Sequence, residues 1–369
     1  MNITYVFTGG RKKSIENKEI KAREHYYSAS LFKDEGYELK IIEFEDTNTI
    51  FSKIFYYYDR ILNKFLSLPS YTHKLCSFRN LKILMNTDKL FLVTESAAFS
   101  CLPLLIILKI FRKTEVNIFV MGLYSKKIKY KKMESIHFMF IKLLTFLSTN
   151  ILFLGKGEMT RAKLIHTNCS KFSYIGFCTD VDFWSMENDS LIEKKEDQIL
   201  FIGNDSNKDG ELLINVAKKL PDLKFLVISK LTEFNNINVP NIEVIDGSWD
   251  GDLITDEELK VIFKESTLSI IPLRDSFQPS GQSVVLQSMC IGTPAMISNT
   301  EGFWDKDKFN HNKNIFFVSP NSTEEWVDAI SKTISNKKLL GEVSKNSIFD
   351  VREYFNLQTF HKSLKILTF

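Results

Sequence analysis

Cysteine is scarce and scattered. Cys76, Cys101, Cys169, Cys178 and Cys290 are the five in 369 residues, and no two form a CxxC pair. That spacing sets aside a disulfide framework and fits a reducing cytoplasm. Long apolar runs are also missing. The longest, Phe99 to Leu108 and Ile136 to Leu147, fall well short of the ~20 residues that a bilayer-spanning helix needs, so no transmembrane span is expected. The N-terminus runs into a strand-like segment rather than a secretion signal. No solenoid-period repeat or low-complexity tract occurs. No Asp-x-Asp pair stands in a loop suited to a divalent cation, and no histidine cluster has zinc spacing, so a site working without metal or other cofactor is expected. The formal net charge is only +3, and no nucleic-acid partner is expected.

What is present is an ordinary globular balance, with 44% apolar and 25% charged residues. This length exceeds one common core and suits two α/β domains of ~150 to 200 residues. Asn2 to Phe7 reads as a buried strand entering the Gly9-Gly10 turn. A charged helical segment to Lys33 and an alternating strand, Gly36 to Phe44, follow. Further short strands at Leu90 to Val93, Val116 to Met121 and Asn150 to Leu154 alternate with helical stretches at Pro103 to Phe111 and Met133 to Leu147. This grammar predicts an α/β fold with a doubly wound parallel sheet.

The pattern restarts at Gln198 to Gly203 after the weakly periodic stretch Ser185 to Asp197. Helices at Glu211 to Leu220, Asp256 to Glu265 and Ser283 to Cys290 then alternate with strands at Phe225 to Ile228, Ile242 to Ile245, Leu268 to Pro272 and Pro294 to Ser298. From Thr323 the tail is helical, and Trp326, Ala329, Ile330 and Ile334 mark a buried face. We read 1–185 as the first Rossmann-like domain, 186–350 as the second, and 351–369 as a C-terminal helix packing back, in a position to cross to the first domain.

Strand Leu268 to Pro272 leads through a polar loop into a helix behind Ser280-Gly281-Gln282-Ser283. A glycine among small hydroxyl residues at a helix start lets backbone N–H groups approach an anion, and the helix dipole favours its charge. Arg274 in the same loop adds a cation. Taken alone, such a motif is also a plain N-cap and turn.

With its surroundings the segment resembles the GT-B fold glycosyltransferases, in particular glycosyltransferase family four. The resemblance rests on the order of several pieces: Phe177 to Trp184, Phe201 to Asp209, Pro272-Leu273, Ser280 to Met289, Gly292-Thr293-Pro294, Gly302, Asn314 to Val318 and the helix around Trp326. It implies two Rossmann-like domains facing a central cleft. It also implies transfer of a hexosyl group from a nucleoside-diphosphate sugar to a glycan or lipid-linked acceptor, with retention, in synthesis of a surface polysaccharide such as lipopolysaccharide or capsule, or of a glycolipid. Lys208 and Arg274 would then stabilise the departing diphosphate, and Gly203, Asn204, Ser280, Gly281, Gln282, Ser283 and Gln287 would line the donor site. Loop Asp246 to Trp249 falls where the base is expected.

Two departures stand out. The family's paired glutamates, eight positions apart, correspond to Pro279 and Gln287, and its arginine after the first glycine corresponds to Asn204. Gln287 can still hydrogen-bond a ribose hydroxyl, whereas a proline side chain accepts nothing. A nucleotide-sugar epimerase on the same fold and a catalytically silent nucleotide-sugar-binding partner are the competing readings. Acceptor-side candidates in the first domain are Gly9, Gly10, Glu24, His25 and Glu95, each equally readable as structural. The basic stretch Lys126 to Lys132, leading into amphipathic Met133 to Leu147, suggests peripheral docking at the inner membrane face; a solvated loop before a core-facing helix is the plainer alternative.

Overall fold

The computed structural model describes residues 1–17, 21–46, 49–185, 193–247 and 254–369. The chain forms two compact units, Met1–Ile175 together with His361–Phe369, and Gly176–Phe360. The expected boundary at 185/186 borders residues 186–192, which lie outside the described ones.

The first unit holds β1 (Asn2–Phe7), β2 (Glu38–Glu43), β3 (Lys89–Leu92), β4 (Glu115–Val120), β5 (Asn150–Phe153) and β6 (Phe172–Tyr174) in one sheet of order β2-β1-β3-β4-β5-β6. Every neighbouring pair is parallel. Its helices are α1 (Lys12–Asn17), α2 (Ala29–Asp34), α3 (Ile50–Leu66), α4 (Phe78–Met85), α5 (Glu95–Ser100), α6 (Leu102–Phe111), α7 (Glu134–Leu147) and α8 (Lys156–Ile165). β3 is buried throughout and β4 at all but its first residue, as strands covered on both faces require. The helical segment expected up to Lys33 is instead broken before α2, where Tyr27 and Ser28 take left-handed backbone conformations at φ 49° and 68°. Such residues cannot continue a right-handed helix.

The second unit begins with α9 (Val181–Trp184). Its sheet contains β7 (Lys195–Ile202), β8 (Lys224–Ser229), β9 (Ile242–Asp246), β10 (Ser266–Ile271), β11 (Ala295–Ser298) and β12 (Phe316–Val318), ordered β12-β11-β10-β7-β8-β9. All five pairs are parallel. Helices α10 (Gly210–Lys219), α11 (Asp256–Glu265), α12 (Gln282–Ile291), α13 (Thr323–Ser335) and α14 (Lys337–Tyr354) follow in the chain. Thr255 and Glu258 cap the start of α11 reciprocally, which is why its bounds are sharp. Trp326 and Ile330 of α13 are fully buried in this unit's core.

Helix α15 (Leu357–Thr368) starts in the second unit, and its continuation from His361 packs in the first. There Phe369 stacks on Phe32 at 5.5 Å, and His361 meets the same ring edge-on at 4.6 Å. Lys365 and His361 both reach Glu35. The buried Lys89 ammonium is shared between Glu115 and the Thr368 carbonyl. Phe32 is fully buried under this segment, and we expect Phe32→Ala to cost about 3–5 kcal/mol. A lower urea midpoint at unchanged slope would register it; a cost below about 1 kcal/mol would show that α15 does not close this core.

Candidate functional site

In the second unit the strand order reverses between β7 and β10, since the chain builds outward from β7 through β8 and β9 and then returns to add β10, β11 and β12. The loops leaving two such strands diverge and open a crevice at their carboxyl ends, the usual ligand position in open parallel sheets. Both loops here are firmly joined. Asp209 N donates to the Pro272 carbonyl at 3.0 Å and Arg274 N to the Asn207 carbonyl at 2.8 Å, flanking an antiparallel bridge between Lys208 and Leu273. Beneath them Leu273 N donates to Ser298 Oγ, and Asn321 Nδ2 donates to the Leu273 carbonyl. Asn321 Oδ1 in turn accepts from Ser298 Oγ and Trp326 Nε1, each at 2.8 Å.

Lys208 is the central side chain. It is 2% exposed, and two glycines make room for it. A Cβ on Gly203 would lie 2.5 Å from Lys208 Cε; one on Gly281, at φ 83°, would lie 3.2 Å from Nζ and 2.9 Å from Ile271 Cγ2. Nζ has no hydrogen-bond partner among the described residues. The Asp205 carboxylate stands 4.0 Å away and is already engaged, because its Oδ1 accepts from Asn207 N at 3.1 Å and Ser280 Oγ at 2.9 Å. Burial pulls the Lys208 pKa down, against the opposing pull of Asp205.

Gly281 is also the N-cap of α12 and supplies no side-chain cap. The orphan N–H groups of the helix and its positive dipole end therefore meet a buried ammonium. Two positive features with one carboxylate 4.0 Å from the ammonium make an arrangement chemically able to accept an anion with several oxygens.

The other sequence-selected residues fall around this seat in different roles. Ser280 and Gln282 are buried, while Ser283 and Gln287 are half-buried one turn apart on α12, hence on one face. Asn204 bridges loops, its Nδ2 donating to the Gly247 carbonyl at 2.6 Å and its Oδ1 accepting from Lys230 N at 2.7 Å. It borders an apolar slot of Ile202, Ile228, Ile254 and Leu259. Ser248 and Trp249 lie outside the described residues.

Arg274 faces carboxylates. Its Nη2 lies 3.0 Å from Glu233 and 3.8 Å from Asp209, and its Nε donates to the Lys208 carbonyl at 3.4 Å. The guanidinium is thus a brace on the segment that carries Lys208. Sequence reasoning alone misses Asp205, Glu233 and Asn321. Their folded positions reveal them, because Ser280, Arg274 and Leu273, the partners that join them to this site, lie far along the chain. Gly302 is likewise explained here, since a Cβ on it would run into the Ser276 and Gln278 carbonyls.

The five acceptor-side candidates have separate surroundings in the first unit. Gly9 and Gly10 leave β1 ahead of α1, and the Arg11 and Lys12 amides that follow them donate to Glu43 Oε1 at 2.6 and 2.9 Å. Glu24 is buried in a helical turn. His25 beside it is held down to about 4 by burial and by the Arg11 charge. Glu95 is buried at the start of α5 and accepts from Met121 N at 3.1 Å. Its charge adds to the burial that pushes Glu158 up to about 8, while Glu158 accepts from the Gly122 and Tyr124 amides. These two carboxyls hold the 121–124 loop. Among the described residues no group of three or more His, Cys, Asp or Glu side chains gathers in a way that could hold a metal ion.

No protein-family model matches the chain, and no curated protein matches it significantly. Solved structures do. Sucrose-phosphate synthase from Thermosynechococcus elongatus superposes with a TM-score of 0.73 at 13% identity, over 99% of this chain and 98% of that one. HepE of Anabaena, in complex with UDP and glucose, gives 0.67 at 10% identity over 99% and 98%. A glycosyltransferase from Rickettsia africae gives 0.66 at 13% identity over 99% and 97%. At identities this low the superpositions show the fold alone: two parallel-sheet α/β units of the GT-B type, shared with these proteins.

Proposed function

We propose that this protein is a nucleotide-sugar-dependent glycosyltransferase whose donor diphosphate lies between Lys208 and the start of α12. The observation that carries this reading is the buried Lys208 ammonium, without a hydrogen-bond partner among the described residues, beside Gly281. HepE, on the same fold, is in complex with UDP and glucose, which supports a nucleoside diphosphate as the anion. Rupture of a glycosyl–phosphate bond leaves negative charge on the departing diphosphate. A preorganised ammonium and helix amides in a water-poor site stabilise that charge as it develops. Gln287 and Ser283 carry hydrogen-bonding groups on the adjacent face of α12.

The acceptor belongs to the same proposal: a glycan or lipid-linked sugar in surface polysaccharide or glycolipid synthesis, with retained anomeric configuration and no metal, at the cytoplasmic side of a membrane. Pro279, buried where the resembling family places a glutamate, favours one second reading, a nucleotide-sugar-binding partner without turnover. Acceptor-dependent release of nucleoside diphosphate from the sugar donor separates the two, because a silent partner binds and releases nothing.

Lys208→Met tests the anion seat. Loss of a hydrogen bond to a charged group is worth about 1.5–3 kcal/mol, so affinity for the preferred nucleoside diphosphate should fall about 10- to 100-fold in a thermal-shift titration. The same variant should unfold at a higher temperature than wild type without ligand, since an apolar side chain replaces an unpaired buried charge. Unchanged nucleotide affinity would remove the proposal. Arg274→Ala should weaken nucleotide binding less than Lys208→Met, because its charge already meets Glu233 and Asp209.

The pH dependence has a definite sign. The folded-state pKa of Lys208 lies below its unfolded value. Between the two values the unfolded chain binds more protons, and stability of the free protein rises with pH. A bound diphosphate restores the proton, so nucleotide affinity should weaken as pH rises through the lowered pKa. Calorimetry in buffers of different ionisation heat would show proton uptake on binding there; its absence would contradict the assignment.

A further inference from the structure

Helix α3 turns an apolar stripe outward. Ile50, Ile54, Tyr57 and Ile61 recur at helical spacing and are each more than half exposed, and Phe65 continues the line. The core-facing side uses Leu62 and Leu66 instead. An outward stripe of this length is unusual for a solvated helix.

The exposed charges carried by α3 itself are of one sign. Lys53, Arg60 and Lys64 are exposed along α3, whereas its single carboxylate, Asp59, is buried against Ser70 and His73. At the C-terminal end the lysine-rich loop continues the same face: Tyr130 lies 5.8 Å from the Phe65 ring, and Lys129 N donates to Ser67 Oγ at 3.4 Å. Lys127, Lys129, Lys131 and Lys132 are all exposed there. The amphipathic helix that follows, α7, puts Ile141, Leu144 and Leu147 into the core of the unit. Its His137 is joined to the end of α3 through the Leu66 carbonyl at 2.6 Å. The core thus takes the Ile141, Leu144 and Leu147 face of α7 and the Leu62 and Leu66 face of α3, and leaves the second, outward stripe of α3 uncovered by the described residues.

We propose that α3 lies in the interface of an anionic lipid membrane, its apolar stripe among the acyl chains and the lysines of 127–132 on the headgroups. Apolar and aromatic side chains flanked by cations are what an in-plane helix requires, and each cation adds attraction to an anionic surface. A second copy is disfavoured by charge. A two-fold contact would set this basic face against itself. The proposal stands independently of the nucleotide site and would place the first unit beside lipid-linked acceptors.

The test is sedimentation of the full chain with vesicles of phosphatidylcholine alone and of three parts phosphatidylcholine to one part phosphatidylglycerol. Binding is expected to the anionic vesicles only, weakening in about 0.5 M salt as the surface charge is screened. Ile54→Asp with Ile61→Asp, and separately Lys129→Glu with Lys131→Glu, should each lower partitioning about tenfold or more. Unchanged unfolding midpoints would show that both remain folded, and the loop pair keeps the test alive if the helix pair does not. Wild type remaining in the supernatant with anionic vesicles would overturn the proposal. So would binding insensitive to both pairs, or a wild-type dimer without vesicle binding that the helix pair converts to monomer.

Discussion

A lysine buried without a matching carboxylate is the constraint around which this part of the second unit is arranged. An ammonium removed from water costs several kcal/mol unless it is paired, and Lys208 has only a shared carboxylate 4.0 Å away. Its path requires two backbone positions without a Cβ, at Gly203 and Gly281, and these same positions set the end of β7 and the start of α12. Under the proposed function an anion completes the charge set, and the instability of the free site and its function then share an origin.

Sheet order supplies the location, and a second layer of bonds supplies the precision. The reversal between β7 and β10 separates the two loops, while the paired amides at Asp209 and Arg274 hold them in register. Asn321, bonded to Ser298, Leu273 and Trp326, fixes the lower loop to α13 in the core. The cationic atom is therefore placed by rigid elements rather than by a free loop, as an electrostatically preorganised site demands.

Alternation of short apolar runs with helical segments is enough to read ten of the twelve strands, because covered strands and amphipathic helices leave periodic traces, whereas β6 and β12, three residues each, are too short to leave one. Where capping residues are local, as at Thr255 and Glu258, even the ends of α11 are legible. Lys208 is visible in the sequence as a cation near a glycine, but its burial is not, since that depends on Gly281 far along the chain. Arg274 looks like a free cation for the same reason: Glu233, the carboxylate it meets, belongs to another loop. α3 is hard to read because it is apolar on two sides, which blurs the period that marks an ordinary surface helix. In the first unit no spacing singles out a site among Gly9, Gly10, Glu24, His25 and Glu95, and their surroundings are largely those of structural residues.

The split membership of α15 bears on biosynthesis. The residues that cover Phe32 and share the Lys89 ammonium emerge from the ribosome only after the entire second unit. The unit translated first is thus made without the segment that covers part of its core. Apolar surface around Phe32 therefore lacks its cover until the last residues are made, the kind of transient exposure that favours aggregation during synthesis.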